Sequence, residues 1–322
     1  MKDDRNIIEQ AVHLLQSGEL VAFPTETVYG LGADASNPAA VAKLYAAKGR
    51  PENHPVIVHL AELSQLSFWV SQIPDDALRL AEKFWPGPLT LILPKAPHVL
   101  DAITGGQKSV GIRVPSHPLA LDLLKAFGGG VVAPSANKFG RLSPTRAEDV
   151  RKEFQDQVAM VLDGGACAVG IESTIVDLTG SQPMILRPGM IEQAEIESVI
   201  GAVRLAARIV DDESITRAPG GLPSHYAPTT PLKLVHADEL RRITDNLPQG
   251  NVRIAVMAFS AAPLEMNWII ANSDPHAFAR DLYSNLRQLD KLKLDQIIVE
   301  APPEDSHWDG IRDRLVRAAA DK

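Results

Sequence analysis

Apolar positions along the chain fall into two alternating rhythms. Ile7, Ile8, Ala11, Val12, Leu14 and Leu15 recur at helical spacing and Gly18 stands as a stop, which predicts an opening helix. Short apolar runs follow at 20–23, 55–60, 89–94, 109–115, 131–134, 158–162, 173–178 and 184–186, with the brevity and β-branched content of buried strands. Helical patterns lie between several of them, at about 38–47, 75–84, 118–127 and 145–154. The alternation is irregular and strands follow one another directly in the second half. The expected fold is therefore α/β, a twisted mixed sheet carrying helices rather than a strict doubly wound one.

Between Val210 and Pro231 both rhythms stop. Asp211-Asp212-Glu213 gives way to Ala218-Pro219-Gly220-Gly221-Leu222-Pro223, the composition of a connector. Beyond it, strands are expected at 232–235, 252–257, 268–271 and 296–300, with helices near 238–247, 276–292 and 308–320. That rhythm suits a small Rossmann-like parallel α/β domain. The expected division is a main domain over 1–209, a linker or lid over 210–231 and a C-terminal domain over 232–322.

With 322 residues and 45% apolar side chains, the chain has ample material for folded cores. A net charge of −8 and 5% aromatic residues argue against a general nucleic-acid sleeve, though not against a local basic cleft. The one cysteine, Cys167, excludes a disulfide framework and a cysteine-built zinc site, and reads as a small buried apolar residue in a reducing compartment. Met1-Lys2-Asp3-Asp4-Arg5 does not lead into a signal-like apolar region, and no apolar run approaches the roughly 18 residues of a membrane span. A cytoplasmic location without membrane contact is expected.

Phosphate-loop, dinucleotide-turn, His-Glu-x-x-His and nucleophile-elbow signatures are absent. Instead, polar residues recur at the ends of apolar strands, where open α/β sheets place ligands. Thr25-Glu26-Thr27-Val28-Tyr29-Gly30 follows the first strand and reads either as a local turn or as a loop presenting hydroxyls and N–H groups. Lys48 and Arg50 flank Gly49. They could gather on one anion if the backbone is extended there, or cap a solvated helix end. His54 lies just before the second strand and His59 near its end. Arg113 lies in a strand opposite an apolar face of Val110, Ile112 and Val114; burying it requires an anion, either a protein carboxylate or a ligand. Ser135 and Asn137 would face one side of an extended chain as a binding clamp. Glu172-Ser173-Thr174 and Arg187-Pro188-Gly189 repeat the theme.

In order and spacing, 24–31, Lys48-x-Arg50, 53–59, Ser135-x-Asn137, 172–174 and 187–189 together resemble the YrdC-like L-threonylcarbamoyladenylate synthases. Ser224-His225-Tyr226-Ala227-Pro228 resembles the linker of that family's long form, and Arg314-Leu315 with Arg317-Ala318-Ala319 its final helix. The resemblance implies a nucleotidyltransferase that joins L-threonine, bicarbonate and ATP into L-threonylcarbamoyl-AMP with release of pyrophosphate. It implies Mg²⁺ carried on the ATP phosphates, and a product passed to a tRNA threonylcarbamoyltransferase complex that modifies the adenosine next to the anticodon. Direct tRNA contact, if any, would be weak. By the same match, threonine lies near Thr27, His59, Arg113, Ser135 and Ser173. The nucleotide lies near Arg50, His54, Ser109, Asn137, Thr145 and Arg187, with Lys48 beside the phosphates as the second catalytic cation. Tyr226 would approach the nucleotide from a linker folded over the pocket, or else pack at the domain seam. The main alternative is a non-catalytic RNA-binding translation factor on the same fold.

Overall fold

The structure, a computed structural model, describes residues 2–206, 216–222, 224–246, 253–262 and 266–320. The expected boundary at 209–210, the acidic run 211–213, Pro223 and the start of the strand expected at 252 lie outside the described residues.

Ten strands form one sheet: β1 (Val21–Phe23), β2 (Gly30–Asp34), β3 (Ile57–His59), β4 (Leu89–Pro94), β5 (Ser109–Arg113), β6 (Val131–Val132), β7 (Met160–Val161), β8 (Thr174–Asp177), β9 (Met184–Arg187) and β10 (Arg204–Leu205). Their order is β10-β9-β8-β4-β5-β3-β6-β2-β1-β7, with parallel and antiparallel pairs mixed, as the irregular alternation implied. Around it lie α1 (Lys2–Gln16), α2 (Pro38–Lys48), α3 (Leu66–Trp69), α4 (Asp75–Phe84), α5 (Asp101–Thr104), α6 (Pro118–Phe127), α7 (Ala147–Phe154) and α8 (Gln193–Ile200).

The period of two along each strand divides the side chains between faces. Val21, Phe23, Val131 and Ala133 pack with α1 and α6 through Leu15, Leu123 and Leu124, while Ala22 and Val132 join the larger core on the other side. In the middle of the sheet the second face is unlike either core. Val110 and Ile112 of β5 point into the large core, which leaves Ser109, Gly111 and Arg113 on the opposite face beside Ile57 and His59 of β3.

A second sheet contains β11 (Leu232–Val235), β12 (Ile254–Ala258), β13 (Asn267–Ile270) and β14 (Gln296–Glu300) in the order β11-β14-β12-β13, all parallel. Helices α9 (Ala237–Asp245), α10 (Pro275–Asp290) and α11 (Asp309–Ala319) cover it. Its main core is shared with the larger unit, since Val28, Leu142, Ile171 and Tyr226 pack with Phe278, Leu282, Tyr283 and Ile311. Cys167 is buried, and burial pushes its thiol up to about 12, as suits a packing residue. No helix among the described residues is long and apolar enough to cross a membrane.

Candidate active site

The polar face of β3 and β5 is the floor of a cavity. In the parallel register His59 lies beside Arg113 and Ile57 beside Gly111, so both chemically active residues come from the same end of neighbouring strands. Thr27, His59, Arg113, Ser135 and Ser173 all line this cavity, together with Arg50, Arg187 and, from the linker, Pro219, Gly220, His225 and Tyr226.

Arg113 answers the question its sequence position posed. Its Nη2 donates to Glu26 Oε1 at 2.6 Å, its Nη1 to Thr27 Oγ1 at 2.9 Å and its Nε to the Gly87 carbonyl at 3.2 Å. The protein carboxylate is therefore present. Two of the five N–H donors remain outside these bonds, on a side chain that lines the cavity. His59 is buried with no partner for Nδ1, and burial, reinforced by the charge of Arg113, pushes its imidazole down to about 3. It is a neutral ring at neutral pH.

Lys48 and Arg50 are anchored differently. Lys48 ends α2, and Gly49 takes the left-handed conformation (φ 62°) that closes the helix, so the chain is not extended between them. Lys48 Nζ donates to the carbonyls of Ser135 and Asn137, behind the cavity wall, and burial lowers its pKa well below the usual lysine value. Arg50 reaches the cavity, anchored by its Nη2 to the Pro55 carbonyl at 2.8 Å. The Ser135-x-Asn137 clamp is also bent. Asn137 N–H donates to the Ser135 carbonyl at 2.9 Å, and the Asn137 amide turns to the carbonyls of Lys138 and Arg141 at 2.7 and 2.9 Å, leaving Oδ1 buried without a partner. Ser135 faces the cavity, whereas Asn137, Ser109 and Thr145 are buried outside its lining.

Arg187 closes the other end. Its Nε and Nη2 donate to the Ser173 carbonyl at 3.1 and 3.0 Å, and its Nη1 to the Pro219 carbonyl at 3.0 Å and the Tyr226 hydroxyl at 3.5 Å. Tyr226 therefore packs at the seam and lines the cavity at once. His54 borders a second cavity of about 330 Å³ with Leu186, Pro188, Arg217, Leu222 and Arg317, across the linker from the first. Glu26, Glu172 and His225 had no assigned role although each stood inside a quoted motif. A buried arginine in need of an anion signals that a carboxylate is required, without saying that it is Glu26.

A cavity gathering three arginines and neutral histidines at the strand ends of a mixed sheet defines an anion-binding site fit for phosphoryl or acyl chemistry. A family model of the Sua5, YciO and YrdC proteins, described as telomere recombination, matches residues 13–189; a second, described as the threonylcarbamoyl-AMP synthase C-terminal domain, matches 191–320. The threonylcarbamoyl-AMP synthase of Bacillus subtilis is 40% identical over 97% of this chain and 92% of its own length. That of Pyrococcus abyssi is 38% identical over 97% and 94%. A solved structure of P. abyssi Sua5 complexed with L-threonine superposes with a TM-score of 0.91 at 37% identity, covering 97% of this chain and 94% of that one. The chain belongs to the threonylcarbamoyl-AMP synthase family, in its form with the C-terminal domain. These relatives favour the synthase over the RNA-binding alternative.

Proposed function

We propose that the cavity makes L-threonylcarbamoyl-AMP by aligning two anions. The threonine amine and bicarbonate combine to a carbamate with loss of water. A carbamate oxygen then attacks the α-phosphorus of ATP and pyrophosphate leaves. No enzyme nucleophile is required, so catalysis rests on alignment and charge neutralisation, for which alignment alone supplies on the order of 7–11 kcal/mol in favourable systems. Arg113 would take the threonine carboxylate with its remaining donors, Thr27, Ser135 and Ser173 its polar atoms, and the neutral His59 ring would accept a hydrogen bond from the amine. Arg50 and Arg187 would neutralise the phosphates. Ser109 and Arg113 lie on one strand face ~13 Å apart, a span that suits an amino acid at one end and a nucleotide at the other. We place the nucleoside near His54, Ser109, Asn137, Thr145 and Tyr226, of which Tyr226 lines the first cavity and His54 the second. Lys48 in this reading shapes the loop that carries Ser135.

The observation that carries the proposal is that all the side chains assigned to threonine line one cavity with Arg50 and Arg187 beside them. The cavity holds only about 50 Å³, well below the roughly 300 Å³ of the smallest ordinary ligand sites. In this reading its linker wall would open for ligands and close over them, a lid that shields an unstable carbamoyl adenylate from water. The units 1–209 and 232–322, joined by 210–231, would be the bodies that this lid connects. Mg²⁺ would enter with ATP: Glu172 in the cavity lining and Glu26 behind Arg113 are already paired with Arg314 and Arg113, and no cluster of three or more His, Cys, Asp or Glu suited to a metal occurs among the described residues. No step is assigned to the ion. The product would pass in the cytoplasm to the enzyme complex that modifies tRNA.

The test is pyrophosphate release from ATP with Mg²⁺ and bicarbonate, with and without L-threonine and with serine as the control. Release that requires threonine and bicarbonate, with a carbamoyl adenylate seen by mass spectrometry, is the expected result. ATP binding without threonine-dependent turnover would overturn the proposal.

A further inference from the structure

Arg314 belongs to α11, yet it is the largest fully enclosed side chain among the described residues and most of its bonds cross to the larger unit. Its Nε donates to Glu172 Oε2 at 2.9 Å, its Nη2 to the Glu172 carbonyl at 3.1 Å and its Nη1 to the Pro188 carbonyl at 2.9 Å, with Asp313 Oδ2 also accepting from Nη1 at 2.7 Å. The guanidinium carbon lies 5.2 Å from the centre of the Tyr226 ring. One planar fork thus holds the residue before Ser173, the residue after Arg187 and the linker tyrosine. A lysine could not make the same set of bonds. Arg314 does not itself line the cavity; the groups it holds, or their immediate neighbours, do.

Two further features show that this contact is built into the fold. Glu172 also accepts from the Tyr283 hydroxyl of α10 at 2.9 Å and from Ser143 Oγ, so the C-terminal unit supplies two of the groups on one buried carboxylate. Helix α11 can approach because Gly310 faces Gly189: a Cβ on Gly310 would lie 2.8 Å from the Gly189 carbonyl oxygen.

We infer that Arg314 is a positioning residue for the adenylation reaction, through which the C-terminal unit sets the geometry of Ser173, Arg187 and Tyr226 instead of merely covering them. The inference rests on the proposed synthesis of a threonylcarbamoyl adenylate in this cavity.

The experiment compares threonine-dependent pyrophosphate release and ATP affinity by calorimetry in the full-length wild type, Arg314→Gln, Arg314→Lys, Glu172→Gln and the double variant Arg314→Gln/Glu172→Gln. Arg314→Gln is expected to lose about 100-fold in kcat/KM, the scale of a 1 Å misplacement, and to bind ATP more weakly. Arg314→Lys should not restore activity. The double variant should be no worse than the poorer single one, because the two residues act as one unit. Leu240→Ala, buried in α9 away from the cavity, should lower the melting temperature at unchanged kcat. Arg314→Gln with wild-type kcat/KM and a lowered melting temperature would reduce Arg314 to a stability residue and overturn the inference, as would fully multiplicative losses in the double variant. Should Arg314→Gln fail to fold, Tyr283→Phe removes one bond to the same carboxylate and no charge; about a tenfold fall in kcat/KM supports the inference, and none overturns it. If wild type binds ATP but shows no threonine-dependent release, the synthase reading itself fails. Equal ATP affinity in wild type and Arg314→Gln would then also remove the positioning role.

Discussion

The two sheets differ in what their faces are used for. In β12, Ala255 and Met257 point into the core that α10 and α11 share with the larger unit, and Val256 and Ala258 into the core with Leu240 of α9, so both faces are sealed by apolar packing. In β5 one face is equally apolar, but the other carries Ser109, Gly111 and Arg113, and at Arg113 it opens on the cavity walled by the linker residues Pro219, Gly220, His225 and Tyr226. A face sealed by packed side chains has no place for a ligand. A sheet that leaves one face to a separate segment can hold one and release it. The C-terminal unit takes part in the site through helix faces, by Tyr283 and Arg314, and not through its strands.

The sharpest way to break this comparison is a core-type substitution on each sheet. Arg113→Met should lower threonine-dependent turnover by roughly 1,000-fold, as expected for losing an anion-holding group in a shielded site, and cost about 3–5 kcal/mol of stability because Glu26 is left buried without its cation. Met257→Ala should cost a comparable 2–5 kcal/mol or so at unchanged kcat below the melting temperature. Denaturant titration and steady-state kinetics on both variants decide it; equal losses of kcat would end the distinction.

Next in size is the roof. Gly220 has φ 79°, and a Cβ there would lie 2.0 Å from the Tyr226 hydroxyl. Gly220→Ala should therefore prevent closure and reduce kcat/KM by about 100-fold. Gly128→Ala has a similar φ of 77° but nothing within 4 Å, so it should cost about 1 kcal/mol of stability and no activity.

The seam between the units should show in acid. Burial opposes the charge of Glu172, but Arg314 and Arg187 outweigh it and hold the carboxyl at about 2, against 4.5 for an unperturbed one. Because the folded value is depressed, this stabilisation is complete above about pH 4.5 and is lost as pH falls toward 2. Unfolding free energies measured between pH 6 and 3 should fall more steeply in wild type than in Glu172→Gln.

The smallest effect separates cavity from surface. Burial pushes His59 and His225 down to about 3, the latter against the pull of Glu172, whereas exposed His307 is raised above its usual value by its bond to Glu192. Proton NMR between pH 5 and 8 should show His307 titrating and the other two flat. Titration of His59 near 6.5 would mean that the cavity is open to water.

Much of the local structure was legible because it depends on near neighbours. The patterns at 75–84, 89–94, 118–127, 232–235 and 296–300 coincide with α4, β4, α6, β11 and β14, where periodicity and turn residues agree. Strand β2 was not legible: Gly30-Leu31-Gly32-Ala33-Asp34 reads as a loop, yet pairing with β1 and β6 makes it a strand, and Gly32 is needed because a Cβ there would meet Phe23 at 2.8 Å. Helix α8 was also missed, its apolar positions being few.

The same division holds in the site. Sequence by itself determined which residue types end the strands, and through the period of two it placed Arg113 opposite Val110 and Ile112, because backbone sterics fix alternation without reference to the rest of the fold. Tertiary structure alone decided the protein partners: Glu26 for Arg113, the carbonyls of Ser135 and Asn137 for Lys48, and Arg314 for Glu172 across 142 positions of chain. A buried charge specifies that it must be neutralised, not by whom; that choice belongs to the packing that brings distant residues within about 3 Å.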